Sequence, residues 1–204
     1  NSEVLFAKGN LKLNFKEYQA AIAEYSKAIE IDSLNANIYY NRGLARYAIK
    51  DSVGAILDFT KTIKINPRFA KAYYNRGISN YEMKYYNEAL TDFNKAVEIN
   101  PFYIKALNNR GLVKTELKEY KEAIIDFDKA IQLDSSYAKA YYNKAVANFN
   151  LKKYKESIID LTKAILYDPN DKEAYYFRGM AKLYSGQKNI CPDFKMALKL
   201  GKIN

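Results

Sequence analysis

Apolar side chains recur every three or four residues in short runs along this chain, which predicts amphipathic helices. A short polar turn follows each first run, and each second run closes on an Asp or Asn followed by Pro or Ser. Two such runs joined by a short turn predict a helical hairpin. In segment 70–103 the first run is marked by Ala72, Tyr73, Gly77 and Tyr81, and the second by Ala89, Leu90, Phe93 and Val97.

The hairpin pattern repeats with a period of 34 residues. One motif is YYNRG at 39–43 and 73–77, with the variants LNNRG at 107–111, YYNKA at 141–145 and YYFRG at 175–179. A second motif, at the end of each hairpin, recurs with the same 34-residue spacing, from AIEIDS at 28–33 to AILYDP at 164–169. We therefore expect a single array over 1–204, made of six repeats at 2–35, 36–69, 70–103, 104–137, 138–171 and 172–204.

Proline and glycine positions refine these elements. The residue before a proline is disfavoured in the α region, so Asn66, Asn100 and Asp168 are expected to end second helices. Glycine within a helix costs about 1 kcal/mol relative to alanine, so a recurrent helical glycine needs a packing reason. We expect close helix contacts that bring the first-helix glycines (Gly43, Gly77, Gly111, Gly179) against second-helix alanines (Ala55, Ala89, Ala123).

The spacing Gly-x11-Ala-x3-Phe-x7-Pro, filled by Gly43, Ala55, Phe59 and Pro67, resembles the tetratricopeptide repeat family. The resemblance extends over essentially the whole chain. It implies an all-α fold, a right-handed superhelical solenoid of antiparallel helix pairs. It also implies a non-catalytic protein–protein interaction scaffold whose first helices line a concave groove. The last repeat departs from the pattern, because its turn near Gly186 is one residue short, and we interpret it as a degenerate capping repeat.

Positions that resemble the family's ligand-contacting ones carry lysine, asparagine and tyrosine. Asparagine can donate to and accept from a peptide backbone, and lysine suits carboxylates, so an extended acidic peptide is the expected guest. Tyrosine offers contact area at low entropic cost, although inter-repeat packing is the alternative role for these rings. The predicted groove residues are Asn41, Lys71, Asn75, Lys105, Asn109, Lys139, Asn143, Tyr40, Tyr74 and Tyr142.

Basic residues also recur 16 positions before an aspartate on the partner helix, as in Arg42 and Asp58. The last pair, Arg178 and Asp193, has a spacing of 15, as its shortened turn requires. Because acid and base shift together, we predict ion pairs within each repeat rather than a row of ligand-binding arginines. The other pairs are Arg76–Asp92, Arg110–Asp126 and Lys144–Asp160.

The formal charge is +10, from 33 Lys+Arg and 23 Asp+Glu, which favours acidic partners. Single-stranded nucleic acid is an alternative ligand, since the chain is basic and rich in tyrosine, but interspersed acids make it a weaker hypothesis. A self-assembling structural array stays open. Nowhere do about 18 consecutive apolar residues occur, so no membrane span is predicted.

Histidine is absent, and no glycine-rich phosphate loop occurs, so we expect neither catalysis nor a metal or cofactor. Cys191 is the only cysteine, and we expect it to serve as a small residue buried beneath the last helix rather than as a reactive thiol. A single cysteine slightly favours the cytoplasm. Export stays open, because the sequence before Asn1 is not seen.

Overall fold

The computed structural model describes residues 1–201, and the last three positions predicted for the sixth repeat, 202–204, lie outside the described residues. Within that range the chain forms helices and no strand, so the predicted all-α fold is confirmed. The helices fall into two units, Asn1–Pro101 and Phe102–Asn204, called here the N-terminal unit and the C-terminal unit.

The N-terminal unit consists of three antiparallel helical hairpins. Helix α1 pairs with α2, α3 with α4, and α5 with α6. Successive hairpins stack, because α2 packs against α3 and α4 packs against α5. The helices are α1 (Ser2–Asn14), α2 (Tyr18–Ile31), α3 (Ala36–Ala48), α4 (Ser52–Ile65), α5 (Ala70–Glu82) and α6 (Tyr86–Ile99).

The C-terminal unit repeats this arrangement. Helix α7 pairs with α8, α9 with α10 and α11 with α12, while α8 packs against α9 and α10 against α11. Its helices are α7 (Ile104–Glu116), α8 (Tyr120–Leu133), α9 (Ala138–Asn150), α10 (Tyr154–Tyr167), α11 (Lys172–Tyr184) and α12 (Cys191–Leu200). In the part of the chain that the structure describes, no helix combines the length and apolarity needed to cross a bilayer.

The predicted helix ends are confirmed. Asn66, Asn100 and Asp168 each cap the C-terminus of a second helix outside the α region, as expected before a proline, and the backbone of Asn66 and Asn100 is extended. The turn inside a hairpin closes differently, on a residue in the left-handed region. In five hairpins that residue is a lysine with φ between 60° and 67°, and in the last it is Gly186 with φ 79°. The lysines are Lys16, Lys50, Lys84, Lys118 and Lys152.

A fully buried aromatic ring in the second helix contacts the first-helix glycine. A Cβ built on Gly111 would lie 2.5 Å from Phe127 Cε1, and one built on Gly43 would lie 2.7 Å from Phe59 Cε1. The glycines therefore have a packing reason, as predicted. The nearest group is the ring rather than the alanine four residues earlier, because at the glycine the ring lies directly on the backbone of the first helix.

One burial prediction was wrong. Cys191 lies exposed at the first position of α12, with Pro192 in the first turn as expected for a helix start. The shortened turn places Asp193 and Ala197, rather than Cys191, on the buried side of α12. Cys191 is therefore not part of the core.

Candidate functional site

In the N-terminal unit, the predicted groove residues lie on α3 and α5. We call the surface formed by Tyr40, Asn41, Lys71, Tyr74 and Asn75 the N-terminal lysine face. A hydrogen bond joins its two helices, because Asn75 Nδ2 donates to the Tyr40 hydroxyl at 3.0 Å. Asn75 Nδ2 also donates to the Lys71 carbonyl at 2.9 Å. The structure therefore brings these residues together.

The asparagine donors of this face are used to hold neighbouring repeats together. Asn41 Nδ2 donates to Asn10 Oδ1 at 2.8 Å, and the Tyr25 hydroxyl donates to the same oxygen at 2.8 Å. An asparagine amide has two N–H donors and a carbonyl oxygen with two lone pairs. Because Nδ2 of Asn75 donates to Tyr40 and Lys71, the amide oxygen is the group of that side chain able to accept a hydrogen bond from a ligand.

In the C-terminal unit, the predicted residues lie on α7 and α9. The surface formed by Lys105, Asn109, Lys139, Tyr142 and Asn143 is the C-terminal lysine face. Its polar centre is an asparagine network that sequence reasoning missed. Asn143 Nδ2 donates to Asn108 Oδ1 at 2.9 Å, and Asn108 Nδ2 donates to Asn109 Oδ1 at 3.2 Å. The signal was the motif LNNRG, in which Asn108 replaces the tyrosine of the other repeats.

The three lysines of the two faces occupy equivalent positions in their helices. Lys71, Lys105 and Lys139 are exposed and occupy the second position of α5, α7 and α9. None of them forms an ion pair with any residue in the range 1–201. The first turns of these helices contain no acidic residue to offset the positive end of the helix dipole. Each helix start therefore presents uncompensated positive charge.

The predicted tyrosines are half-buried and contact other rings. Tyr40 lies 4.8 Å from Phe69 between ring centroids, Tyr74 lies 5.9 Å from Phe93, and Tyr142 meets Phe177 edge-on at 5.8 Å. Burial raises the pKa of Tyr142 to about 12. These tyrosines support the faces from within, and each leaves part of its side chain accessible.

Sequence reasoning also missed aliphatic residues on the same faces. Leu44 and Ile78 in the N-terminal unit, and Leu112 and Val146 in the C-terminal unit, are half-buried. Each follows the groove asparagine of its helix by three residues, which places it one turn along the same side. The 34-residue period applied to any one of them would have found all four.

The predicted ion pairs are confirmed on a different side of the first helices. Arg42 Nη2 contacts Asp58 Oδ1 at 2.7 Å, Arg76 Nη2 contacts Asp92 Oδ1 at 2.6 Å, and Arg178 Nη2 contacts Asp193 Oδ1 at 2.6 Å. Arg110 pairs with Asp126, and Lys144 Nζ lies 3.4 Å from Asp160 Oδ1. The aspartates are 2–6% exposed, so these pairs belong to the packed interior.

A second partner of each aspartate alternates along the chain, which the sequence analysis did not include. For three aspartates the second partner is a cation: Arg46 lies 3.0 Å from Asp58, Lys114 lies 2.7 Å from Asp126, and Lys182 lies 2.8 Å from Asp193. For the other two aspartates the second partner is an asparagine: Asn80 Nδ2 donates to Asp92 at 3.1 Å, and Asn148 Nδ2 donates to Asp160 at 2.9 Å. The two sets therefore differ by one positive charge beside a buried carboxylate.

The pKa values of three aspartates follow this alternation. Burial raises the pKa of Asp92, and hydrogen bonds from Arg76 and Asn80 offset it only in part. Burial likewise raises the pKa of Asp160 despite Lys144. For Asp193 burial is outweighed by hydrogen bonds from Arg178 and Lys182, and the pKa is lowered.

We therefore expect the carboxyl groups of Asp92 and Asp160 to titrate at higher pH than that of Asp193, measured by side-chain carboxyl NMR. A raised pKa contributes stability that is present at low pH and lost as the pH rises through the folded-state value. The lowered pKa of Asp193 contributes stability that is lost as the pH falls through its folded-state value. Titration of all three groups together would contradict the proposed effect of the second cation.

Family comparisons agree with this geometry. The family profile described as "Tetratricopeptide repeat" matches residues 70–103, 104–137 and 138–171, and the profile "TPR repeat" matches residues 4–50. The chain belongs to the tetratricopeptide repeat family. No curated protein matches this tetratricopeptide repeat chain.

Several solved structures share the tetratricopeptide repeat fold. A tetratricopeptide repeat protein from Parabacteroides merdae ATCC 43184 is 21% identical, with a TM-score of 0.86, covering 98% of this chain and 80% of that chain. YrrB, described as a TPR protein with an unusual peptide-binding site, is 21% identical, with a TM-score of 0.72, and the match covers 86% of this chain and 91% of that chain. MamA from Desulfovibrio magneticus RS-1 is 20% identical, with a TM-score of 0.75, and the match covers 81% of this chain and 94% of that chain. These identities establish a shared fold alone.

Proposed function

We propose that this tetratricopeptide repeat protein is a non-catalytic interaction scaffold that binds extended acidic peptide segments on its lysine faces. Membership in a family of repeat scaffolds supports the general class of function. The observation that carries the acidic preference is a set of exposed lysines at three helix starts that have no ion-pair partner among residues 1–201: Lys71, Lys105 and Lys139.

Electrostatics supports an anionic guest at these positions. Carboxylates are stabilised at helix N-termini, where backbone N–H groups and the dipole present positive charge. A lysine in the first turn adds a full charge to that partial one. In the N-terminal unit the opposite end of α5 carries exposed Glu82, to which the Tyr47 hydroxyl donates a hydrogen bond. An acidic guest is therefore favoured at the start of α5 and disfavoured at its end.

Polar and apolar groups beside each lysine supply the remaining contacts. The amide oxygen of Asn75 can accept from a peptide N–H, and half-buried Ile78 offers apolar contact one turn further along. Exposed ion pairs each contribute only about 0.2–1 kcal/mol, so these neighbouring contacts are needed for useful affinity. A solved relative, YrrB, is described as having a peptide-binding site, which supports the class of ligand.

Changing Lys71, Lys105 and Lys139 together to Glu is expected to weaken binding of an acidic peptide about tenfold to a hundredfold. At each lysine face the change replaces attractive charge contacts with repulsive ones. The measurement is fluorescence anisotropy, with a peptide selected from an array of extended sequences of graded Asp and Glu content. Circular dichroism should show unchanged helicity, because all three side chains are exposed.

A matched control makes the same charge change on second helices. Lys64, Lys129 and Lys163 are exposed on α4, α8 and α10, and their replacement by Glu should leave peptide binding within about twofold of the original. If both triple variants weaken binding equally, the effect is one of net charge, and the assignment of the lysine faces is wrong.

The same anisotropy assay tests the nucleic acid alternative. Phosphate contacts are strongest at low salt, so a single-stranded ligand should bind tightly at about 50 mM salt and lose affinity steeply as salt rises. We expect no such binding for a labelled RNA oligonucleotide. Binding of RNA that the Lys71, Lys105 and Lys139 variant abolishes would replace the peptide proposal.

A further inference from the structure

A cavity of about 320 Å³ lies in the N-terminal unit among α4, α5 and α6, away from the lysine face. Ile56 and Thr60 of α4 form one wall, Arg76 and Asn80 of α5 form the floor, and Glu88, Thr91 and Asp92 of α6 form the other wall. Its volume is at the small end of the range for ligand sites, which suits one side chain or a fragment.

The preceding repeat shows what fills this place when the chain supplies its own occupant. Arg46 lies 34 positions before Asn80, and its Nη1 contacts Asp58 Oδ2 at 3.0 Å and the Gly54 carbonyl at 3.3 Å. The residues 34 positions after Asp58 and Gly54 are Asp92 and Glu88, which both line the cavity. Asn80 is too short and carries no charge, so the third repeat lacks the cation that Arg46 provides.

The charges around the cavity favour a positive guest. Arg76 contributes one positive charge, and it is already bound to Asp92 through Nε at 3.0 Å and Nη2 at 2.6 Å. Asp92 and Glu88 contribute two negative charges, and α4 contributes none, which leaves one negative charge in excess. Burial raises the pKa of Asp92, as expected for a carboxylate with too little positive charge beside it.

We propose that this cavity binds a lysine or arginine side chain of a protein partner. The cation lies between the Glu88 carboxylate and the side chains of Asn80 and Asp92, and the aliphatic stem lies against Ile56. Lys and Arg side chains combine an apolar stem with a charged end, which matches a cavity of one aliphatic wall and one acidic wall. This site prefers the opposite charge to the lysine faces, so it does not depend on the peptide proposal.

The equivalent cavity of the C-terminal unit provides an internal comparison. It has a volume of about 280 Å³ and is lined by Asn148 and Asp160, with Lys144, Lys153 and Glu156. Lys153 adds a positive charge to that lining and has no counterpart among the residues of the N-terminal cavity, so a cationic guest is repelled there, although Lys144 also contacts Asp128 at 2.8 Å. We expect a cationic guest to prefer the N-terminal cavity.

Titration with n-butylguanidinium, followed by NMR of the Asn80 side-chain amide and Arg76 Nε, tests the proposal directly. A saturable shift at these two groups is expected, with little change at the Asn148 amide. Neutral n-butylurea, which has the same shape, should give no saturable shift. Equal responses to the two compounds would mean that the cavity selects shape and not charge, and would overturn the proposal.

Three variants separate charge from folding effects. Asn80→Lys places a cation where Lys114 and Lys182 lie in other repeats, and it should abolish the Arg76 response to butylguanidinium. Asn148→Lys makes the same change in the C-terminal unit and should leave the Arg76 response intact. Glu88→Gln alters an exposed wall residue and should weaken binding about two- to fivefold. An undiminished response in both Asn80→Lys and Glu88→Gln contradicts the assignment.

Discussion

Replacing Phe127 by alanine is expected to lower the free energy of unfolding by about 3–5 kcal/mol. The ring is fully buried in α8 and packs with Ala123 of its own helix and Ala147 of α9. It also lies on the backbone of α7 at Gly111, where no side chain exists that could move into the space. Phe127 therefore joins one hairpin internally and connects it to the next.

The cavity left by this change cannot collapse easily, because two of its walls are helix backbone and alanine methyl groups. Ile125→Ala is the matched control, since Ile125 lies on the same helix but is 67% exposed, and its loss should stay within about 0.5 kcal/mol. Urea denaturation followed by circular dichroism gives the overall change. Hydrogen exchange should place the loss of protection in α7 to α9, because repeat arrays need not unfold in a single step.

A loss for Phe127→Ala no larger than that for Ile125→Ala would show that the buried ring is not the main link between these helices. Equal loss of protection in the N-terminal unit would contradict the local effect expected for a repeat protein.

Replacing Asp126 by alanine is the second change with a large expected effect, about 3–5 kcal/mol of lost stability. The carboxylate is 2% exposed and pairs with Arg110 and with Lys114 Nζ, the latter at 2.7 Å. Its removal leaves two cations, whose side chains are 19% and 18% exposed, without the negative charge they surround. The penalty comes from the loss of this shared negative charge beside partly buried cations more than from the lost contacts.

Asp128→Ala is the matched control on the same helix. The Asp128 side chain is 54% exposed and contacts Lys144 at 2.8 Å, so its removal should change stability by less than about 1 kcal/mol. Lys114→Asn reproduces the asparagine found in the neighbouring repeats, and the loss from Asp126→Ala should be smaller in that background. Equal losses for Asp126→Ala and Asp128→Ala in denaturation experiments would contradict the burial argument.

The pairing of Arg42 with Asp58 shows which contacts can be predicted from the repeat pattern alone. A basic residue and an acid that keep a 16-residue separation in successive repeats are predicted to face each other within one hairpin, and Arg42 Nη2 does donate to Asp58 Oδ1. The correlated shift to 15 residues at Arg178 and Asp193 strengthens that inference. Contacts within a hairpin are therefore predictable from this sequence.

Contacts between hairpins were less accessible to sequence reasoning. Asn75 and Asn143 occupy one position of the repeat, yet one donates to the Tyr40 hydroxyl and the other to Asn108. The difference comes from a residue in the preceding repeat, 35 positions earlier. Periodicity gives the position of each asparagine, but its partner depends on how two hairpins stack.

The candidate site divides in the same way. The location of Lys71, Lys105 and Lys139 at helix starts follows from the repeat register. Their exposure and the absence of an ion partner within the described residues depend on all neighbouring side chains. The cavity beside Asn80 was also missed, because a shorter side chain creates space only if the surrounding helices keep their positions.

By itself, the sequence determined the helical hairpins, their ends at Asn66 and Asn100, and the ion pairs within the second to sixth repeats, because short-range periodicity encodes all of these. Only the tertiary structure decided that Phe127 lies on Gly111, that Cys191 is exposed, and that Asn80 leaves a cavity with an excess negative charge. Burial and local electrostatics are sums over neighbours from several helices, and no single stretch of sequence contains those neighbours.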